Sequence, residues 1–318
     1  MKTNKKIKFR KDKVTFPYRY IFERTSVQVL KCFSTLVDKD KIKTDGFNYL
    51  YYKGDIPVML VAHIDTVLQP KNIYYDSRFN VLWGDNSIGA DDRAGVSAIF
   101  EIFSRGLRPH VLLCNGEESG GIGARVALNE LEKPNVNCII ELDRRGSVDS
   151  VFYNCDNSKF EEYINSFGFK TTEGSYSDIS FLCPKWCIAG VNLSIGYYNN
   201  HCKNEFLNLT EWKNTVDKVT NILKKPPKEC FEYKEKVRYF NFYDYYDYYD
   251  DYCFEANVSS ISEGVYIEDL MYMYGGSYSD WSLIIEENKD MIRDRLHSTI
   301  QSIIDDLAEM YLYNYYGK

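Results

Sequence analysis

Between about residues 47 and 225 the apolar positions change rhythm repeatedly, from runs of strand length to the three-to-four spacing of helices. FNYLYYKG (47–54) and PVMLVAH (57–63) read as two strands around a Gly-Asp turn. From Arg93 to Phe103 the spacing is helical, with Val96, Ile99, Phe100 and Phe103 on one side. HVLLCN (110–115) and NCIIEL (137–142) are continuous apolar runs, as expected of strands covered on both faces. A helix is predicted between them, over 122–131, with Pro134 beyond its end. Residues 158–166 read as a helix, CIAGVNLS (187–194) as a strand and 210–224 as a closing helix. The alternation predicts an α/β fold, a three-layer sandwich with a mostly parallel central sheet between helices. In such folds ligands gather at the carboxyl ends of the strands.

Past Pro226 and Pro227 the pattern changes. FYDYYDYYDDY (242–252) is low in complexity and too charged to bury, and reads as a surface segment or linker. Ile292, Leu296, Ile300, Ile303, Leu307 and Met310 then predict a long amphipathic helix. Its apolar stripe either packs on the domain before it or forms a dimer seam, so the C-terminal helical extension is a candidate surface for a protein partner.

Charge sharpens this division. The net charge of -7 combines about +6 over residues 1–13 with -11 over residues 230–318. The basic start reads as a short solvated tail, and the acidic end argues against general nucleic-acid binding. No apolar run reaches the ~18 residues of a membrane span. The first residues have no apolar stretch behind their charge, so no secretory signal is expected. Nine cysteines at scattered spacings then suggest free thiols in a reducing, cytoplasmic setting. With only four histidines, metal chemistry would rest mostly on carboxylates.

Five short patches carry candidate chemistry. HIDT places His63 and Asp65 two apart at a strand end, where they share a face. One carboxylate there could fix the ring while its other nitrogen binds metal. GADDRAG (89–95) sets Asp91 beside Asp92, a repulsive pair unless a cation or a helix N-terminus compensates; for Asp92 an N-cap is a sufficient reading. NGEESGG (115–121) follows a buried strand with Glu117 and Glu118, one able to bind metal and the other to handle protons. ELDRRG (141–146) ends a buried strand with Asp143, and NLSIGYYNNHCKNE (192–205) supplies His201 with Tyr197 and Tyr198 nearby. Each patch alone has a bland structural reading. Together they deliver two of the four histidines and a set of carboxylates to one sheet edge.

In this order the five patches resemble the co-catalytic zinc peptidase superfamily, which includes the bacterial tripeptidase, leucyl and glutamyl aminopeptidases and related amidohydrolases. The resemblance spans about residues 47–222, and GADDRAGV and EESGGIGA look most like the tripeptidase and glutamyl branches. It implies two zinc ions, with cobalt or manganese as alternatives. His63 and Asp143 would bind the first, Glu118 and His201 the second, and Asp91 would bridge them. Asp65 would orient His63, and Glu117 would act as general base toward a two-zinc-activated water. The resemblance also implies a cis peptide between Asp91 and Asp92. The activity implied is hydrolysis at the N-terminus of small peptides; the alternatives are removal of an acyl group from an N-acyl amino acid or amine, and a non-catalytic binding protein that keeps the metal site.

The chain departs from that pattern in one respect. Only 57 residues separate Asp143 from His201, and 27 separate His63 from Asp91, too few for an inserted lid domain. A compact form is therefore expected, with substrate groups drawn from elsewhere. Tyr197 or Tyr198 could donate to an oxyanion or simply pack in the core. Arg144 and Arg145 could hold a substrate carboxylate or pair with local acids. Asp178, in SYSDIS, could bind a substrate amine or cap a helix. The expected organisation is a basic tail (1–13), a di-zinc peptidase-like domain (14–228) and an acidic Tyr/Asp-rich and helical extension (229–318).

Overall fold

The computed structural model describes residues 9–236, together with 260–262 and 265–266. These fall into two units, one within Met1–Arg238 and one within Tyr239–Lys318. In the second, β13 (Ser260–Ser262) and β14 (Val265–Tyr266) form a small antiparallel pair. The Tyr/Asp stretch and the amphipathic helix expected at 292–310 lie outside the described residues.

The first unit is built on an eight-stranded sheet. Its strands are β1 (Ile42–Thr44), β2 (Tyr49–Tyr52), β3 (Ile56–His63), β6 (Pro109–Cys114), β7 (Cys138–Arg144), β8 (Asp149–Val151), β9 (Lys170–Thr171) and β10 (Gly190–Ser194). They run in the order β1-β2-β6-β3-β7-β10-β8-β9. The four at the centre, β6-β3-β7-β10, are parallel, so their carboxyl ends meet at one edge. Antiparallel pairings of β2 on β6 and β8 on β10 flank them. The fold is thus α/β with a large, mostly parallel central sheet.

Strand periodicity divides the core into two layers. Val58, Leu60 and Ala62 of β3 face a layer containing α2 (Ser26–Ser34), α3 (Ala90–Ser104), α5 (Ser158–Asn165) and α7 (Leu209–Lys224). Met59 and Val61 face the other way, onto α4 (Ile122–Glu130) and α6 (Ile179–Trp186). The short α1 (Arg19–Phe22) joins the first layer through Ile21 and Phe22. Helix α3 is buried almost all round, which explains why its apolar residues exceed one clean stripe.

A second sheet, absent from the sequence reading, positions much of the site. β4 (Ile73–Asp76), β5 (Val81–Gly84), β11 (Tyr197–Tyr198) and β12 (Phe206–Asn208) form an antiparallel sheet ordered β11-β12-β5-β4. The His63–Asp91 and Asp143–His201 intervals are thus filled by strands and helices of these two sheets. Residues 9–13, expected in a solvated tail, instead lie along the outer strand. Asp12 bridges Tyr75 through its backbone, Arg10 N–H donates to Asp76 at 2.6 Å, and the Lys11 ammonium sits 3.9 Å from the centre of the Tyr74 ring. Covering β4 in this way satisfies an edge that would otherwise be open.

Candidate metal centre

The site grows out of strand register. His63 ends β3 level with Cys114 of β6, and Val61 lies level with Glu141 of β7. With a period of two, His63 and Asp143 therefore fall on the same face, at the same edge. His63 is fully buried, and its Nε2 lies 3.0 Å from Asp91 Oδ1 and 3.6 Å from Asp143 Oδ1.

Asp91 comes from the start of α3, where Asp91 and Asp92 depart from helical geometry and the peptide between them is cis. Asp92 turns inward, and its Oδ1 accepts the Gly95 N–H at 2.8 Å, so it caps the regular part of the helix. Asp91 is left free to face the cleft. Its second oxygen, Oδ2, lies 3.3 Å from His201 Nε2, and the same ring nitrogen is 2.8 Å from Glu118 Oε1. His201 sits in the loop joining β11 to β12, with a left-handed φ of 60°.

All five expected ligands are thus joined by direct imidazole–carboxylate contacts, and Asp91 is shared between the halves. His63, Asp91 and Glu118 each offer a ligand atom within 4.8 Å of one another. A largely buried set of carboxylates with two imidazole nitrogens fits divalent metal, whose charge would offset the mutual repulsion of the acids.

The electrostatics express that repulsion. Burial, with Asp91 beside it, pushes Asp143 up to about 7, and burial with the same neighbour raises Glu118. Burial also works against Asp91, but hydrogen bonds from His201 and His63 hold it below the usual carboxylate range. Contact with Asp91 raises His201 to about 9, and Asp143, Asp65 and Asp91 hold His63 well above its ordinary value despite its burial. Glu117 is almost enclosed; burial, helped by Asp143, Asp178 and Glu118, pushes it up to about 9.

Asp65, expected to orient His63, makes its hydrogen bonds to backbone N–H groups. Its Oδ1 lies 3.4 Å from His63 Nδ1, but it accepts the N–H of Gly116 at 2.7 Å and of Glu117 at 3.2 Å. Its Oδ2 accepts the Glu118 N–H at 3.2 Å. One carboxylate therefore fixes the whole glutamate turn.

The candidate substrate groups separate. Tyr197 reaches the centre, donating to Asp143 Oδ1 at 3.1 Å, whereas Tyr198 donates to Glu211 at 2.7 Å and stacks on Phe206. Arg144 donates to the Glu173 carbonyl at 3.2 Å, with Asp149 at 3.9 Å, and Arg145 is exposed. Asp178 is fully buried at the start of α6, makes no capping bond, and its carboxylate oxygens have no hydrogen-bond partner.

Two residues escaped the sequence reading. Asn192 clamps Asp143, its Oδ1 accepting the Asp143 N–H and its Nδ2 donating to the Asp143 carbonyl, both at 2.9 Å. It stands where the β10–β7 register shifts, so a side chain completes the ladder there. Glu205, also buried, holds the backbone around Asp91. No periodicity marks either position. The available signal was the polar Asn in the apolar run CIAGVNLS and an acid four residues beyond His201.

Comparison with known proteins bears on the fold. Aminopeptidase PepT from Bacillus cereus ATCC 10987 and a tripeptidase from Staphylococcus aureus subsp. aureus Mu50 each superpose with a TM-score of 0.51 at 16% identity. Each match covers 65% of this chain and 96% of the other. No protein-family model and no curated protein sequence matches the chain. The likeness is one of fold. Among the described residues no helix is long and apolar enough to cross a membrane.

Proposed function

We propose that this chain is a two-metal hydrolase that removes residues from the free N-terminus of small peptides. The observation that carries the reading is the division of Asp91, with Oδ1 toward His63 and Oδ2 toward His201. A carboxylate placed in this way can serve two cations at once. His63 and Asp143 would hold one, Glu118 and His201 the other, with zinc the expected ion and cobalt or manganese as substitutes. When bound, such ions polarise the substrate carbonyl and lower the pKa of the attacking water.

The protein's own groups supply the rest. Glu117 is poised beside the centre on a turn fixed by Asp65, and as general base it takes a proton from the attacking water and returns it to the leaving amine. Its position among buried acids favours the protonated form, which suits the second transfer; cations would favour the first. Tyr197 holds Asp143 and so shapes the ligand cage, while Tyr198 is engaged with Glu211. The two similar structures are an aminopeptidase and a tripeptidase, which is consistent with this substrate class.

The test is a paired assay. Zinc-loaded protein is given unblocked di- and tripeptides and the N-acetylated forms of the same peptides. Release of the first residue from the unblocked peptides is expected. Hydrolysis confined to the acyl bond, or none in either set, would overturn the proposal.

A further inference from the structure

We infer that Glu205 is a positioning residue that ties the His201 loop to Asp91 and thereby controls occupancy of the second metal position. The inference rests on the two-metal reading above, and it assigns a role to a residue outside the ligand set.

Glu205 is 2% exposed, and its carboxylate is fully committed. Oε1 accepts the Asp91 N–H at 3.0 Å. Oε2 accepts the Ser87 hydroxyl at 2.5 Å and the Ile88 N–H at 3.2 Å. Ser87 Oγ in turn accepts the Gly89 N–H at 2.9 Å. The stretch from Ser87 to Asp91 is neither strand nor regular helix, yet it is buried, so its N–H groups need acceptors. Gly89, at a φ of 60°, has no room for a side chain, because a Cβ there would lie 2.8 Å from Thr66. The segment is thus held by Glu205 and its serine, not by a ladder.

The other end of the tie is the His201 loop. Glu205 follows His201 by four residues, and its own N–H closes that loop on the Cys202 carbonyl at 3.1 Å. Moving Glu205 therefore moves two ligands relative to each other: Asp91 through its backbone, and His201 through the loop. His63 and Asp143 sit on central strands and do not share this support. The His201 half of the centre is for this reason the more dependent on Glu205.

The residue type supports a precise demand. Three donors converge on the two oxygens, and only a carboxylate offers acceptors on both. Glutamine would turn its NH2 toward donors. An additional buried acid beside Asp91 is electrostatically unfavourable unless those hydrogen bonds, and cations in the centre, offset it. Asp91, His201 and Glu205 also line one cleft with Thr66, Val67 and Leu68, so the tie borders the site.

The experiment is zinc titration of the chelator-stripped full chain, followed calorimetrically, for the parent, Glu205→Gln, Ser87→Ala and His201→Ala. His201→Ala identifies which binding event belongs to the second position. Glu205→Gln is expected to weaken that event about 10–100-fold and to leave the other near its parent affinity. Ser87→Ala, which keeps the acid but removes one donor to it and the acceptor of the Gly89 N–H, should give a smaller loss at the same event. Equal weakening of both events, or no change, overturns the inference. Should Glu205→Gln fail to fold, Ser87→Ala decides it alone, and parent affinities at both positions overturn it. A parent protein that binds fewer than two zinc ions overturns the two-metal reading itself, a result distinct from the failure of the tie alone.

Discussion

Asp65 Oδ1 accepts the Gly116 N–H at 2.7 Å, closer than its 3.4 Å approach to His63 Nδ1. The acid thus lies beside the first histidine and holds the turn that carries Glu117 and Glu118. Asp65→Asn would present an NH2 group to donors of that turn. Its expected effect is a fall in kcat larger than the rise in KM, because the base is displaced while the cleft stays open. Steady-state kinetics on an unblocked tripeptide would read this; a pure KM effect would place Asp65 in substrate binding instead.

On the proposed reading, Glu117 serves the chemistry and not the metal. Glu117→Gln removes the proposed proton acceptor but leaves the five proposed ligands, so kcat should drop about 10²–10⁴-fold while bound zinc is retained. Parallel metal analysis and turnover measurements check both halves. Activity near the parent level would mean that another group carries the proton.

Gly95 sets how closely α3 approaches β7. A Cβ at this position would collide with the Leu142 carbonyl and lie 2.6 Å from the Asp92 carboxylate oxygens. Neither neighbour can yield without moving the strand that bears Asp143 or the cap of the helix that bears Asp91. Gly95→Ala should therefore lower stability by about 1–3 kcal/mol, the usual range for overpacking. Denaturant unfolding of the chelated protein measures this without interference from metal.

His110 lies at the start of β6, level with Met59 and four residues before the level of His63, and offers a pH test of the fold. It is buried on β6, with its Nδ1 2.7 Å from the Tyr51 hydroxyl. Burial, reinforced by Lys53 and only partly opposed by Asp55, depresses it to about 4. Between that value and the ordinary 6.5 the unfolded chain binds the extra proton, so stability is present above about 6.5 and is lost as pH falls toward 4. His110→Gln should flatten the decline in Tm between pH 7 and pH 5, as seen by thermal melts at matched ionic strength.

The parts of this molecule that could be read from its sequence are those where pattern and chemistry coincide. The parallel strands ending at His63, Cys114, Arg144 and Ser194 announced themselves as apolar runs, because both their faces are covered. The convergence of His63, Asp91, Glu118, Asp143 and His201 followed from motif order. Short antiparallel strands such as IYYD and VLWG gave no comparable signal, since four residues cannot establish a period. Asn192 and Glu205 were opaque for another reason. Their roles depend on which backbone amides lie opposite them, and that is decided by tertiary approach. Asp178 shows the limit in reverse: its position invites a capping role, yet its side chain makes no cap.

The central claim is that these five ligands hold a pair of ions. The measurement that tests it most directly is metal content after equilibration with zinc and removal of the free ion, by mass spectrometry against protein concentration. Two zinc ions per chain in the parent and in Glu117→Gln, falling to about one in His201→Ala, is the predicted result. One ion or none in the folded parent would contradict it.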